Sequence, residues 1–292
     1  MAEIIPLRQA VETCIKDGIS IAMEGFTHLI PHAVGHEIIR QKREDLHVIR
    51  MTPDIIYDQL IGAGCVNRVT FSWGGNPGVG SLHRFRDAIE NKWPQQIEIE
   101  EHSHAGMAVR YVAGASGLPF GILRGYVGTD LVSKTSSIKT IECPFTSESL
   151  TAVPSINPDV AVIHAQRADR HGNVQLWGLL GVQREAVLAA KASIVTVEEI
   201  VDSLPPMPGS IVIPSWVVTA VCCVPNGAHP SYAAGFSERD NSFYKDWDAI
   251  SSDREVFGAW VDKHIHGSTD FVEYGKSVGI STLQRKFAGA ND

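Results

Sequence analysis

Long hydrophobic runs are missing from this 292-residue chain. Leaving glycine aside, the longest unbroken apolar stretches, such as residues 186–190 and 220–224, reach only about five residues. A membrane-spanning helix needs roughly 18–20. Residues 1–5 lack a basic segment leading into an apolar one, so no secretory signal is expected. The sequence also has no C-x-x-C pair. Its five cysteines (Cys14, Cys65, Cys143, Cys222 and Cys223) read as reduced thiols, and the expectation is a cytoplasmic protein. Basic charge is scarce: 25 Lys and Arg stand against 33 Asp and Glu, a formal charge of −8. That balance excludes a broad nucleic-acid footprint and offers nothing to a membrane surface. What is present is an ordinary globular composition, 44% hydrophobic and 20% charged. Disorder would need the reverse. The length fits one large domain, residues 1–292, with a subdomain or cover at about 73–155.

The first hundred residues alternate between two patterns. Leu7, Ala10, Val11, Cys14 and Ile15 mark one face of a helix that Gly18 closes. An apolar strand covers residues 20–23, and a helix behind Pro31 covers about 33–42. Strands at 46–51 and 66–72 enclose a helix at 54–63. A further helix runs through Arg84, Phe85 and Ile89. Helices of about 10–13 residues between strands of about 5–7 are the mark of βαβ units, so the expected fold is α/β with an open, mostly parallel sheet. Residues 96–101 read as a strand and 103–113 as a helix, and 114–155 as loops and short strands. Strands at 159–164, 193–197 and 217–224 flank a helix at 183–191. From residue 251 the tail reads as helical and polar.

Two glycine-rich turns stand out. Gly25-Phe26-Thr27 follows a strand and precedes a helix, where backbone N–H groups can meet an anion or a developing oxyanion. A plain βα turn needing one glycine is the alternative. Ser72, Gly74, Gly75, Asn76, Gly78 and Ser81 form the second, again between strand and helix, with Trp73 as an apolar wall. Neither is a dinucleotide fingerprint or a P-loop, since G-x-G-x-x-G and G-x-x-x-x-G-K-[ST] are both lacking. His28, His32 and His36 recur four apart, but Pro31 leaves His28 outside the helix and no Cys or carboxylate completes a ligand set, so no metal is expected. The Cys222-Cys223 pair reads as buried packing. No G-x-S-x-G elbow marks a serine hydrolase.

Several stretches carry a resemblance: Gly25-Phe26-Thr27, DVAVIHAQ from Asp159, DRHGNVQLW from Asp169, AAKASIVTVEEI from Ala189 and GAHPSY from Gly227. They resemble the α chain of family I CoA-transferases, in the glutaconate CoA-transferase branch. EGFTHLIPHAVGHEIIRQ from Glu24, RMTPDIIYDQLIGAGC from Arg50, FSWGGNPGVGSLHRFRDA from Phe71 and AGASGLPFGILR from Ala113 resemble its 3-oxoadipate members. The resemblance implies a NagB/RpiA/CoA-transferase-like fold and a partner β subunit, in an αβ heterodimer or a pair of such dimers. It implies CoA and acyl-CoA as substrates, with no permanently bound cofactor, and transfer of CoA from succinyl-CoA to 3-oxoadipate through a glutamyl-CoA thioester. The nucleophilic glutamate is implied on the β subunit. The only Glu-x-Gly here is Glu273-Tyr274-Gly275, in the tail, so no catalytic nucleophile is expected in this chain. Gly25, Phe26 and Thr27 match the oxyanion side, and the residue 72–81 loop the substrate side.

The resemblance leaves rivals. One is a glutaconate-type CoA-transferase chain. Another is a CoA-dependent ring-cleaving hydrolase, whose acid falls near Ala105 here. A non-catalytic ligand-binding regulator would carry a DNA-binding helix-turn-helix, and no basic recognition segment is visible.

Overall fold

The computed structural model describes residues 2–126 and 128–280. Its first part alternates strand and helix: β1 (Glu3–Ile4), α1 (Leu7–Cys14), β2 (Ser20–Glu24), α2 (His32–Arg40), β3 (Leu46–Ile49), α3 (Ile55–Gly62), β4 (Val66–Phe71), α4 (His83–Glu90), β5 (Glu98–Glu101) and α5 (His104–Ala115). An insertion follows, with β6 (Phe120–Leu123), α6 (Leu131–Lys134), β7 (Lys139–Glu142) and β8 (Ser149–Pro154). The alternation resumes in β9 (Val160–Asp169), β10 (Val174–Leu176), α7 (Gln183–Ala189), β11 (Ala192–Val201), β12 (Ile211–Ile213) and β13 (Ala220–Cys223). Helices α8 (Asn241–Ser252), α9 (Arg254–Val261) and α10 (Phe271–Ser277) come last.

Ten strands make one open sheet along the path β1-β13-β11-β9-β2-β3-β4-β5, with β10 hydrogen-bonded to β9 and β12 to β10. Every neighbour on that path is parallel; only the β9–β10 and β10–β12 pairs are antiparallel. This is the open, mostly parallel α/β sheet that the strand–helix alternation predicts. From β2 the chain builds outward through β3 to β5, and from β9 outward the other way through β11 to β13. The β2/β9 seam is therefore the topological switch point. Connections leave it in opposite directions, and in open α/β sheets such a point is where ligands bind beyond the strands' carboxyl ends.

Side-chain alternation explains why both faces of the sheet are covered. Ile21, Met23, Val48, Val160 and Val162 enter one core, while Ala22, Ile49, Ala161 and Ile163 enter the other. Central strands buried on both sides read as continuous apolar runs, as residues 160–163 do. The insertion forms a separate three-stranded antiparallel sheet, β6-β8-β7, lying against α5 through Val109, Leu123, Tyr126, Ile138 and Val153.

The tail corrects one expectation. From residue 254 helices α9 and α10 are not polar throughout, because they bury Phe257, Trp260, Phe271 and Tyr274, and α8 before them buries Tyr244 and Trp247. Trp247 packs edge-on against Trp260 with ring centroids 5.0 Å apart, and its Nε1–H donates to Asp58 Oδ2 at 3.0 Å. A helix needs only one apolar stripe, which the charged residues on the outer faces of these helices mask in sequence. Residues 281–292 of the tail lie outside the described residues. Strands β10 and β12, three residues each, are too short for alternation to reveal. Cys222 is buried as expected, whereas Cys223, pointing to the opposite side of β13, is exposed. Among the described residues no helix is long and apolar enough to cross a membrane.

Candidate active-site crevice

The turn after β2 sits at the switch point. A Cβ on Gly25 would stand 2.6 Å from Leu29 O and 2.9 Å from Ile30 Cα, both backbone atoms, so the close approach requires glycine. Thr27 and Leu29 hold positive φ, 56° and 54°. For residues with a side chain such a conformation costs about 1–3 kcal/mol and persists only where the surroundings impose it. Here they do. Ser231 Oγ donates to Thr27 O at 2.9 Å, and Leu29 N–H to Tyr232 O at 2.9 Å. His28, fully buried, donates from Nδ1 to Leu179 O at 2.9 Å and accepts at Nε2 from Ala234 N–H at 2.9 Å. That pair of bonds requires the neutral Nδ1–H tautomer, and burial lowers the pKa of the ring in the same sense. The N–H groups of Phe26 and Thr27 donate to no acceptor among the described residues. Two neighbouring N–H groups without an acceptor are the kind of donor that an oxyanion site requires.

Beneath the turn lies a buried charge cluster. Arg50, at the end of β3 and wholly buried, donates from Nη2 to Gly25 O at 2.8 Å and pairs through Nη1 with Asp54 Oδ1 at 3.0 Å. Asp54 caps α3 by accepting from Ile56 N–H at 3.3 Å. Glu24 Oε1 accepts from Met51 N–H at 3.0 Å; burial pushes its carboxyl up to about 7 against the pull of Arg50.

Met51 also ties in the second turn. Its carbonyl accepts from Ser72 Oγ at 2.6 Å, Ser72 N–H at 3.1 Å and Trp73 N–H at 3.2 Å. Glu24, which leads into the Gly25 turn, and Ser72 and Trp73, which open the residue 72–81 loop, thus bond to one residue of the segment between them, because β2, β3 and β4 are neighbours. Within the loop, Asn76 is buried and donates from Nδ2 to Tyr244 O at 2.7 Å. Its backbone N–H reaches Gly80 O at 2.9 Å. Gly75 is covered by the Trp73 ring, whose Cη2 lies 2.6 Å from where a Cβ would sit, and Gly78 turns with φ 79°. The side-chain donors of Ser72 and Asn76 are therefore spent on backbone carbonyls. Ser81 is half-buried, and Trp73, Gly74, Gly78 and Val79 form the exposed rim. On the helix that follows, Arg86 is exposed, but Arg84 is buried beside Asp87 at 3.1 Å and over the Trp93 ring.

The junction before Ala105, which sequence reasoning weighed only for the hydrolase reading, comes close to the turn. At the start of α5, Ser103 Oγ accepts from Gly106 N–H at 3.0 Å, while exposed His104 faces Phe26 edge-on with centroids 6.5 Å apart. Behind it Glu100 accepts from Arg68 at 2.6 Å, Ser137 at 2.8 Å, and His102 and Arg110 at 2.9 Å. Burial alone would raise that carboxyl; these four bonds hold it well below the usual carboxylate range. Arg50 and Asp54, four apart across a strand end and a helix cap, were the one legible signal for the cluster under the turn. Glu273 is exposed on α10, accepting from Thr269 N–H and Oγ1 at 2.8 and 2.7 Å, a capping position. His32 and His36 lie buried on α2, His36 Nε2 pairing with Gln59 Oε1 at 2.8 Å. The described residues hold no group of three or more metal-ligating side chains.

Burial lowers the His36 ring to about 3 and the His47 ring to about 4, from an ordinary value near 6.5. The unfolded chain takes up protons below about 6.5 that the native state refuses until its own lower values are reached. The contribution of these two rings to stability is accordingly complete above about pH 6.5 and declines as pH falls toward 3. The thermal midpoint should drop across that window, and less steeply in His36→Gln. A variant with the wild-type slope would remove His36 from this account.

The chain can now be set beside known proteins. Residues 5–223 match the family profile of Coenzyme A transferase. The chain is 64% identical over 278 residues to the 3-oxoadipate CoA-transferase A chain of Pseudomonas knackmussii, covering 95% of this chain and 99% of that one. It is 33% identical to the glutaconate CoA-transferase A chain of Acidaminococcus fermentans, covering 97% and 94%. The crystal structure of glutaconate coenzyme A-transferase from Acidaminococcus fermentans superposes with a TM-score of 0.90 at 31% identity, over 97% of this chain and 94% of the other.

Proposed function

Because this chain belongs to the Coenzyme A transferase family, we propose that it is the α subunit of an enzyme that moves CoA from succinyl-CoA to 3-oxoadipate. The 64% identity along nearly the full length of a 3-oxoadipate CoA-transferase chain carries the reading. A cytoplasmic β subunit completes the enzyme and supplies a glutamate. That carboxylate attacks the thioester carbonyl; the C–S bond breaks, CoA thiolate leaves and a mixed anhydride remains. The thiolate attacks the glutamyl carbonyl, releasing succinate and leaving a glutamyl-CoA thioester. The incoming acid repeats the two steps in reverse. Each attack places negative charge on a carbonyl oxygen, and the Phe26 and Thr27 N–H groups receive it. No step draws on a metal.

The acceptor's second carboxylate is held in the cleft beside the 72–81 loop, where Ser81 and the N–H groups of Gly74 and Gly78, which bond to no acceptor among the described residues, supply donors. A buried carboxylate left unpaired is costly, so the site must provide them. The assembled enzyme should use 3-oxoadipate with a kcat/KM at least about tenfold above that for glutaconate, a difference of about 1.4 kcal/mol in transition-state binding. The opposite preference would make it a glutaconate-type enzyme. Ser81→Ala should raise KM for 3-oxoadipate more than for acetoacetate, which lacks the distal carboxylate. Equal losses would mean that the loop serves the fold or CoA and does not read the acid.

A further inference from the structure

The peptide between Gly25 and Phe26 has an unusual allocation of its two polar groups. Its carbonyl accepts from Arg50 Nη2 at 2.8 Å. Its N–H, that of Phe26, has no acceptor among the described residues. One face of the peptide is thus bound to a buried cation while the other is left to donate.

We infer that Arg50 is a positioning residue for the transfer reaction, which polarises the Gly25–Phe26 peptide and so strengthens the Phe26 N–H as an oxyanion donor. The inference rests on the proposed oxyanion role of the turn and adds the group that acts behind it. A hydrogen bond from an ionised donor is about twice as strong as a neutral one. Bonds in series polarise each other by roughly 10–30% in condensed phases. Drawing electron density toward the Gly25 oxygen leaves the peptide nitrogen poorer and its N–H more acidic.

The surroundings favour this over a purely structural ion pair. Arg50 is fully buried, so solvent does not screen it. Asp54 takes Nη1 at 3.0 Å and also meets Nη2 at 3.3 Å, which leaves the shorter Nη2 bond on Gly25 O. The guanidinium fork reaches both acceptors at once, and a lysine ammonium at the same place is a point donor that lacks that planar fork. Tyr57 lies against the guanidinium, 5.7 Å from ring centre to Cζ, and donates its hydroxyl to Ile49 O at 2.8 Å, fixing the segment from which Arg50 projects. A cap for α3 alone would need only Asp54.

The test uses this chain in complex with its β partner and two variants, Arg50→Gln and Arg50→Lys. The lysine variant keeps a cation beside Asp54 and guards against loss of folding in the glutamine variant. The probe is a 13C-ketone analogue of succinyl-CoA in which CH2 replaces the thioester sulphur, so that it binds without reacting. Its carbonyl stretch is read by difference infrared spectroscopy. In the wild-type complex the band should move to lower frequency on binding. In both variants most of that displacement should vanish, and kcat should fall about tenfold, less than the cost of removing an oxyanion donor outright. KM for succinyl-CoA should change less than threefold. A folded variant that binds the probe with the wild-type band and keeps kcat within twofold overturns the role of Arg50. If the band of the wild-type complex equals that of the free probe, the turn is not an oxyanion site, and that earlier reading falls first.

Discussion

Replacing Gly25 with valine is expected to lower kcat by about 10²-fold or more while leaving assembly with the β subunit intact. The expectation follows from contact distances. Even the first carbon of a side chain would lie 2.6 Å from Leu29 O and 2.9 Å from Ile30 Cα, and backbone atoms cannot yield as a side-chain tip can. The turn must therefore shift, and the Phe26 and Thr27 N–H groups shift with it. Loss of one well-placed oxyanion donor costs about 10²–10³ in kcat. The variant should still co-purify with its partner and keep its circular dichroism spectrum, because Gly25 lies outside the strand ladders. If such a complex retains kcat within about twofold, the turn is structural only.

The purified chain by itself should transfer no CoA from succinyl-CoA. Adding the β subunit should raise the rate by on the order of 10³-fold or more, the scale on which removing a covalent nucleophile acts. The chain's own glutamates argue for this. Glu273 is occupied in capping α10. Glu24 is only 3% exposed beneath the turn and bonded to Met51 N–H, so it has no approach to an acyl carbon. Titrating a fixed amount of this chain with β subunit should give activity that saturates at a definite ratio, which also reads the stoichiometry. Turnover by rigorously purified chain alone would overturn the division of labour.

Much of the architecture was legible locally. Gly18 was read as the end of α1 and has positive φ, 78°, as has Gly64 after α3, 79°. Pro31, read at the first position of its helix, and Asp54, read as the first residue of its own, stand one place earlier, at the N-caps of α2 and α3. These features depend on the intrinsic conformational preferences of single residues and their immediate neighbours. The candidate turn at Gly25 was visible for the same reason, as a glycine between an apolar strand and a helical pattern. The short strands β10 and β12 were not, and neither was the aromatic stripe of α8–α10. In the first case there are too few residues for a period to repeat; in the second, charged residues on the outer face dominate the composition.

Which donors remain free could not be read from the chain. Ser72 and Asn76 have the right chemistry for a substrate carboxylate, yet their side chains are claimed by Met51 O and by Tyr244 O, the latter 168 residues away. Thr27 O is held by Ser231, 204 residues away, and Gly25 O by Arg50. The sequence by itself determined the strand–helix alternation, the turn chemistry and the absence of long apolar spans, because each arises from residues close along the chain. Tertiary structure alone decided that the strand order reverses between β2 and β9, that Glu24 and Ser72, which lead into the two glycine-rich turns, both bond to Met51, and that Phe26 N–H is left unspent. Those outcomes depend on which distant segments come to share the few hydrogen-bonding positions at one end of the sheet, and a buried polar group accepts whichever partner the fold brings to it.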